Sequence, residues 1–268
     1  MSKLKKQYVK KINEMVWSFS RLQSWHNCKL GWKNSYLDEY DGVSNGWAKA
    51  GSLGHDIFEK FFKGEIDSSE LLTQWLDRYD KEVDVPFPQF FNVDLFNNYK
   101  TKVAKYFSEF KGIEGNVMAV EEEFTYELPD GNKFRGFIDL ITENNGKLFT
   151  VDHKISKKFS KKLLDKKSIQ IYLYAPAIKQ KYEKYPSIGV FHFFQNGGIH
   201  AFEIKEEGIE SALLWATETI KEIKEATSFP PITEFLTTDK EIKDNKMYCT
   251  SLCNHRQTCE AGKLMYDC

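Results

Sequence analysis

The chain has 268 residues, of which 41% are hydrophobic, 15% aromatic and 29% charged, which excludes a disordered or fibrous protein and leaves a globular one with a substantial core. A net charge of -1 excludes a globally basic nucleic-acid binder, so any hold on phosphate must come from a local patch. No segment reaches the roughly 18 unbroken apolar residues of a spanning helix, and the lysine-bearing start lacks the apolar stretch of a secretory signal; an intracellular location without a membrane partner is expected.

From the N-terminus, Ser18 and Ser20 offer caps to a short helix within Trp17 to Leu37, with Cys28 near its end. Gly51 to Phe62 places Leu53, Ile57, Phe58, Phe61 and Phe62 on one stripe, a buried helix starting near Gly51 with His55 on its flank. Residues 65–112 form a helical insertion broken at Val85-Pro86-Phe87-Pro88. Val117 to Leu128, Lys133 to Thr142 and Leu148 to Ile155 then alternate as strands in meander order. A helix at Ser160 to Tyr185, with Pro176 implying a kink, leads to a hairpin around Asn196-Gly197-Gly198. A last helix near Gly208 to Ala226 precedes Pro230-Pro231 and a cysteine-rich tail. The expected fold class is mixed α/β in one domain over 1–268, with its core sheet and helix at 117–204 and the tail at 245–268.

Chemistry concentrates on the second and third strands. If Asn145-Gly146 is the two-residue loop of a type I′ hairpin, Asp139 faces Asp152 across the ladder with Cβ atoms about 5 Å apart. Like charges so placed repel unless a cation sits between them, and both lie in otherwise apolar strands where charge is costly. The period of two puts Lys154 on the face of Asp152. Two aspartates holding Mg2+ or Mn2+ beside a lysine that orients the attacking water would make a phosphodiester-cutting site. Taken alone, the trio also fits a solvated cross-strand pair with a neutralising lysine. His55 could add an imidazole ligand or be structural, and Glu123 is the member of Glu121-Glu122-Glu123 chosen for support.

Lys154 to Lys167 leaves the third strand carrying Lys157, Lys158, Lys161 and Lys162, opposed only by Asp165. That run suits sequence-indifferent phosphate contact, and Trp25, Trp32 and Trp47 could stack bases. Five cysteines, an odd number, argue for metal or cluster ligation over disulfides. Cys249, Cys253 and Cys259 crowd the tail, and a zinc site could use them with Cys28 or His255 as the fourth ligand.

Gly54-His55, Gly136-Phe137-Ile138-Asp139, Val151-Asp152-His153-Lys154 and Gln170-Ile171-Tyr172-Leu173-Tyr174, in that order, resemble the motifs of the PD-(D/E)XK nuclease superfamily in its RecB-like, CRISPR-associated-exonuclease-like branch. The resemblance implies a restriction-endonuclease-like αβββαβ core and a metal site of His55, Asp139 and Asp152. It makes Lys154 the residue serving the catalytic water and gives Gln170 and Tyr174, four apart on one helical face, a supporting or DNA-contacting role. It also implies a 4Fe-4S cluster on Cys28, Cys249, Cys253 and Cys259, with Cys268 left over or standing in for Cys259. Three residues rather than the usual two separate Cys249 from Cys253, the superfamily's proline is missing before Asp139, and His153 replaces a commoner apolar residue and is expected to have no chemical role. The expected activity is a Mg2+- or Mn2+-dependent DNA exonuclease acting on single strands or ends, in recombination, repair or phage- or CRISPR-type processing, with a helicase or recombination partner. A non-catalytic DNA-binding or assembly subunit is the alternative, and RNA remains open as substrate.

Overall fold

The computed structural model describes residues 4–88, 93–195, 198–263 and 265; Asn196, Gly197 and Cys268 lie outside the described residues. Helices α1 (Lys6–Asn13), α2 (Phe19–Asn27), α3 (Lys29–Tyr36), α4 (Gly46–Phe62), α5 (Leu71–Glu82) and α6 (Leu95–Glu109) precede strands β1 (Asn116–Glu127), β2 (Lys133–Asn144) and β3 (Lys147–Lys154). Helix α7 (Lys161–Tyr182), strands β4 (Ile188–Phe193) and β5 (Gly198–Glu203), and helices α8 (Glu206–Glu225), α9 (Asp239–Met247) and α10 (Glu260–Lys263) follow. The five strands form one sheet in sequence order. β2 and β3 are antiparallel, β3 and β4 parallel through the α7 crossover, and β4 and β5 antiparallel. The class is therefore mixed α/β with the expected αβββαβ order. Among the described residues, no helix is long and apolar enough to cross a membrane.

Two compact units divide the chain: residues 46–126 with 135–214, and residues 1–45 with 127–134 and 215–268. In the first, strand alternation sends successive β4 side chains to opposite layers. Phe191 and Phe193 pack with Leu164 and Ile171 of α7, while Phe194 and Ile155 join the core of α4, α5 and α6. Both insertion helices belong to that second core through Trp75, Tyr79, Val103 and Phe107. Helix α4 starts at Gly46 rather than Gly51, because its glycines serve packing: a Cβ at Gly46 would strike the Phe87 ring and one at Gly54 the Ile155 side chain.

The hairpin register is the one its turn dictates. Asn145 and Gly146 both have positive φ, 51° and 78°, as a type I′ turn requires. Asn144 pairs with Lys147 and the paired ladder runs as far as Leu140 with Val151, ending one step short of Asp139 and Asp152.

In the second unit the Trp17–Leu37 stretch is two helices rather than one. Ser18, not Ser20, caps α2 by accepting from the Arg21 amide. Extended backbone at Cys28 then breaks the chain, and its sulfur caps α3. Trp25 and Trp32 are buried here in edge contact with each other, their centroids 5.3 Å apart, and both pack on Phe229. They are core residues and cannot stack bases. Trp47, in the first unit, packs edge-on against Phe87.

Candidate active site

α4, β1 and β2 bring His55, Glu121 and Asp139 together, and β3 carries Asp152 and Lys154, with Asp152 outside that three-residue group. His55 Nδ1 lies 3.6 Å from Asp139 Oδ2 and 4.0 Å from Glu121 Oε1. One ligand atom from each of these three falls within 4.8 Å of the others, a donor set of imidazole and two carboxylates that suits a divalent cation. Asp152 is almost wholly buried, and its Oδ2 lies 2.5 Å from Lys154 Nζ, two residues along the same strand face. The His153 amide donates to Asp139 Oδ2 at 2.6 Å.

Glu121 has no counterpart among the predicted site residues. Glu123, the member of the glutamate run chosen for support, is exposed and lines a separate cleft with Phe124 and Lys181. Glu121 has φ 48°, a left-handed conformation that breaks the alternation of β1 and turns its carboxylate toward His55. Such backbone costs a non-glycine residue about 1–2 kcal/mol and tends to collect at functional sites.

Charge crowding perturbs the titration of the group. Burial first, then the neighbouring Asp152 charge, pushes Asp139 up to about 7, against the pull of His55, Lys154 and the His153 amide. Burial alone would depress His55, but Glu121 and Asp139 outweigh it and hold the imidazole above its ordinary value. A set that favours protons this strongly is also one that a cation can satisfy by displacing them.

Gln170 Nε2 donates to the Tyr174 hydroxyl at 2.6 Å across one turn of α7. Tyr174 is buried, and burial together with the charges of Asp152 and Asp139 raises its pKa well above the ordinary phenol. It is therefore a neutral dipole beside the two aspartates. Lys167, further into α7 than the lysines singled out from sequence, is held below its ordinary value by burial and by Lys154. Lys157, Lys158, Lys161 and Lys162 stand exposed in the segment between β3 and the first turn of α7.

Behind Asp152, on the opposite face of β3, His153 is buried and stacks on Phe62 at 5.6 Å. Its Nδ1 meets His192 Nδ1 at 3.1 Å, and His192 in turn bonds the Tyr106 hydroxyl. Burial depresses both imidazoles, His192 to about 4, so the chain of rings is neutral near pH 7.

The second unit gathers the four described cysteines, all free, around one small cavity with Tyr248 and His255. Cys28 Sγ accepts from the Gly31 amide and Cys259 Sγ from the Gly262 amide, each at 3.4 Å. A π-turn at Tyr248–Leu252 carries Cys249, whose thiol burial and the neighbouring sulfurs push up to about 12. Thiols that crowd together and accept backbone N–H bonds have the donor chemistry of a metal or cluster site.

A carboxylate–imidazole pocket on a β-hairpin, beside a lysine on the same strand, defines the class of metal-assisted phosphodiesterases. The model of the PD-(D/E)XK nuclease superfamily matches residues 16–260, and the chain belongs to that superfamily. No curated protein matches it. Among solved structures, that of SSO0001 is similar at 18% identity over 54% of this chain, with a TM-score of 0.33. The chain spans 61% of that structure's length, a likeness too remote to bear on function.

Proposed function

We propose that the protein is a Mg2+- or Mn2+-dependent deoxyribonuclease of the RecB-like branch, an exonuclease acting on single strands or DNA ends. The observation that carries this reading is the convergence of His55, Glu121 and Asp139 within 4.8 Å, beside the Asp152–Lys154 pair. His55, Glu121, Asp139 and Asp152 would hold the cation. Bound there, the metal supplies Lewis-acid polarisation of a phosphoryl oxygen and a more acidic water. Lys154 orients the attacking water and offsets charge developing on the phosphate. The Gln170–Tyr174 pair keeps a neutral dipole against the carboxylates, and Lys157, Lys158, Lys161 and Lys162 hold the phosphate backbone.

The cysteine group is proposed to carry a 4Fe-4S cluster on Cys28, Cys249, Cys253 and Cys259. Four sulfurs around one cavity, two of them bonded to backbone amides, fit such a group. A helicase or recombination partner would supply the DNA ends.

Oligonucleotides labelled at either terminus, incubated with Mn2+, test the activity. The wild type is expected to shorten them, and Asp152→Ala or Lys154→Ala to lose at least about 100-fold in rate, as when a charge-stabilising group is removed. Binding without shortening would make the protein a non-catalytic DNA-binding subunit.

A further inference from the structure

Among the described residues lining the cysteine cavity, His255 has a buried side-chain nitrogen without a partner. The residue is 4% exposed. Nε2 sits 2.8 Å from Ser35 Oγ, whereas Nδ1 is buried without a hydrogen-bond partner. It lines the same cavity as Cys28, Cys249, Cys253 and Cys259, so the residue lies beside the sulfurs. A buried imidazole nitrogen left unpaired is costly, which calls for a partner in the space that the cysteines share.

The chemistry of that space decides the tautomer. A neutral imidazole carries one N–H and one bare nitrogen. Thiolates and bridging sulfides are acceptors only, so a bare nitrogen facing them would repel, while an N–H would bond. The Ser35 hydroxyl can give its proton to Nε2, which leaves the ring's own proton on Nδ1.

We infer that Ser35 and His255 form a donor relay, Ser35 Oγ–H to Nε2 and Nδ1–H to a cluster sulfur, that raises the cluster's reduction potential. His255 is then a positioning and tuning residue rather than a ligand. The inference rests on the cluster reading above. Hydrogen bonds to the sulfurs stabilise the extra negative charge of the reduced cluster, which is why they shift potentials upward.

The test uses the full chain purified anaerobically, with iron and sulfide content, the visible spectrum and the midpoint potential measured together. His255→Leu is expected to keep its iron and to lower the equilibrium for reduction about tenfold, equivalent to about 59 mV for one electron. His255→Asn, whose amide N–H can occupy the Nδ1 position, is expected to restore most of that shift, and His255→Gln, which reaches only the Nε2 position, is not. Ser35→Ala is expected to move the potential in the same direction by less. An iron-loaded His255→Leu with the wild-type potential overturns the relay while leaving the cluster standing. Colourless wild-type protein with stoichiometric zinc overturns the cluster and the relay with it. Should His255→Leu fail to fold, pulsed EPR of the reduced wild type with nitrogen-15 histidine still decides. One weakly coupled nitrogen is the expected result, and a strongly coupled one, reporting direct ligation, overturns the donor role.

Discussion

Asp139 shares a buried corner with a second carboxylate, and the pH dependence of stability follows from how that conflict resolves. With its pKa pushed up to about 7, the folded protein binds more protons than the unfolded one between the ordinary carboxylate range and about 7. The metal-free protein therefore loses stability as pH rises through that window. His55, also raised, acts in the same direction: its contribution is full below its ordinary value near 6.5 and fades as pH climbs through the folded one. His153 and His192 act oppositely, since depressed imidazoles favour the fold above about 6.5 and cost stability as pH falls toward about 4. Comparing melting temperatures with and without Mg2+ isolates the first pair, because the cation competes with protons only there. The metal-induced rise should be larger at pH 8 than at pH 5.5; equal rises would remove Asp139 and His55 from the site. Glu121→Ala gives a second check at this scale. It should raise the Mn2+ concentration needed for half-maximal cleavage by on the order of 10–100-fold. Its melting temperature should not fall, since alanine meets the same left-handed backbone and the carboxylate removed belongs to none of the core clusters.

At the scale of elements, the β2–β3 hairpin was the most readable part of the chain, because a single Asn-Gly loop fixes the register and hence which residues face each other. Glu121 was not readable, since an irregular φ within β1 shifts which of three consecutive glutamates points inward, and no composition rule marks that position. The start of α4 was misjudged for a related reason. Its glycines look like helix breakers in one dimension, and only in three do they become contact points with Phe87 and Ile155. Gly54→Ala should consequently cost about 1–3 kcal/mol by overpacking against Ile155, measured by denaturant unfolding, and should reduce cleavage as α4 carries His55 away from Asp139. The tryptophans of α2 and α3 carry the same lesson, for aromatic type says nothing of which ring is enclosed by others. The lysine run into α7 was legible as a patch because it is contiguous and exposed. Replacing Lys161 and Lys162 together by alanine should weaken single-strand binding evenly across sequences. The slope of log K against log salt should fall by about 1.4, from about 0.7 per phosphate contact. An unchanged slope would take those lysines off the phosphate path.

Across the whole molecule, the two compact units hold different chemistry, and the sequence interleaves them: the cysteine unit takes its residues from both ends of the chain, while the carboxylate site lies entirely in the middle. Cys28 and residues 249–259 are more than two hundred residues apart, so the proposed cluster on them would act on the second unit as a cross-link, restricting the unfolded chain by several kcal/mol on loop-entropy grounds. Native contacts also join those ends without it, among them Trp25 and Trp32 on Phe229, His26 on Thr219 and Trp215, Lys29 on Glu222, and Arg256 on the carbonyls of Val43 and Ser44. Cys253→Ser should thus lower the melting temperature of the whole chain by several degrees and increase protease cleavage within residues 236–263. At a temperature where the variant is still folded, cleavage per folded molecule should stay within a few-fold of wild type, because none of the carboxylate ligands belongs to the second unit. Limited proteolysis run beside the Mn2+ assay separates the two effects. Loss of cleavage with no change in proteolysis would mean that the cysteines serve the reaction itself rather than the fold that holds both ends of the chain together.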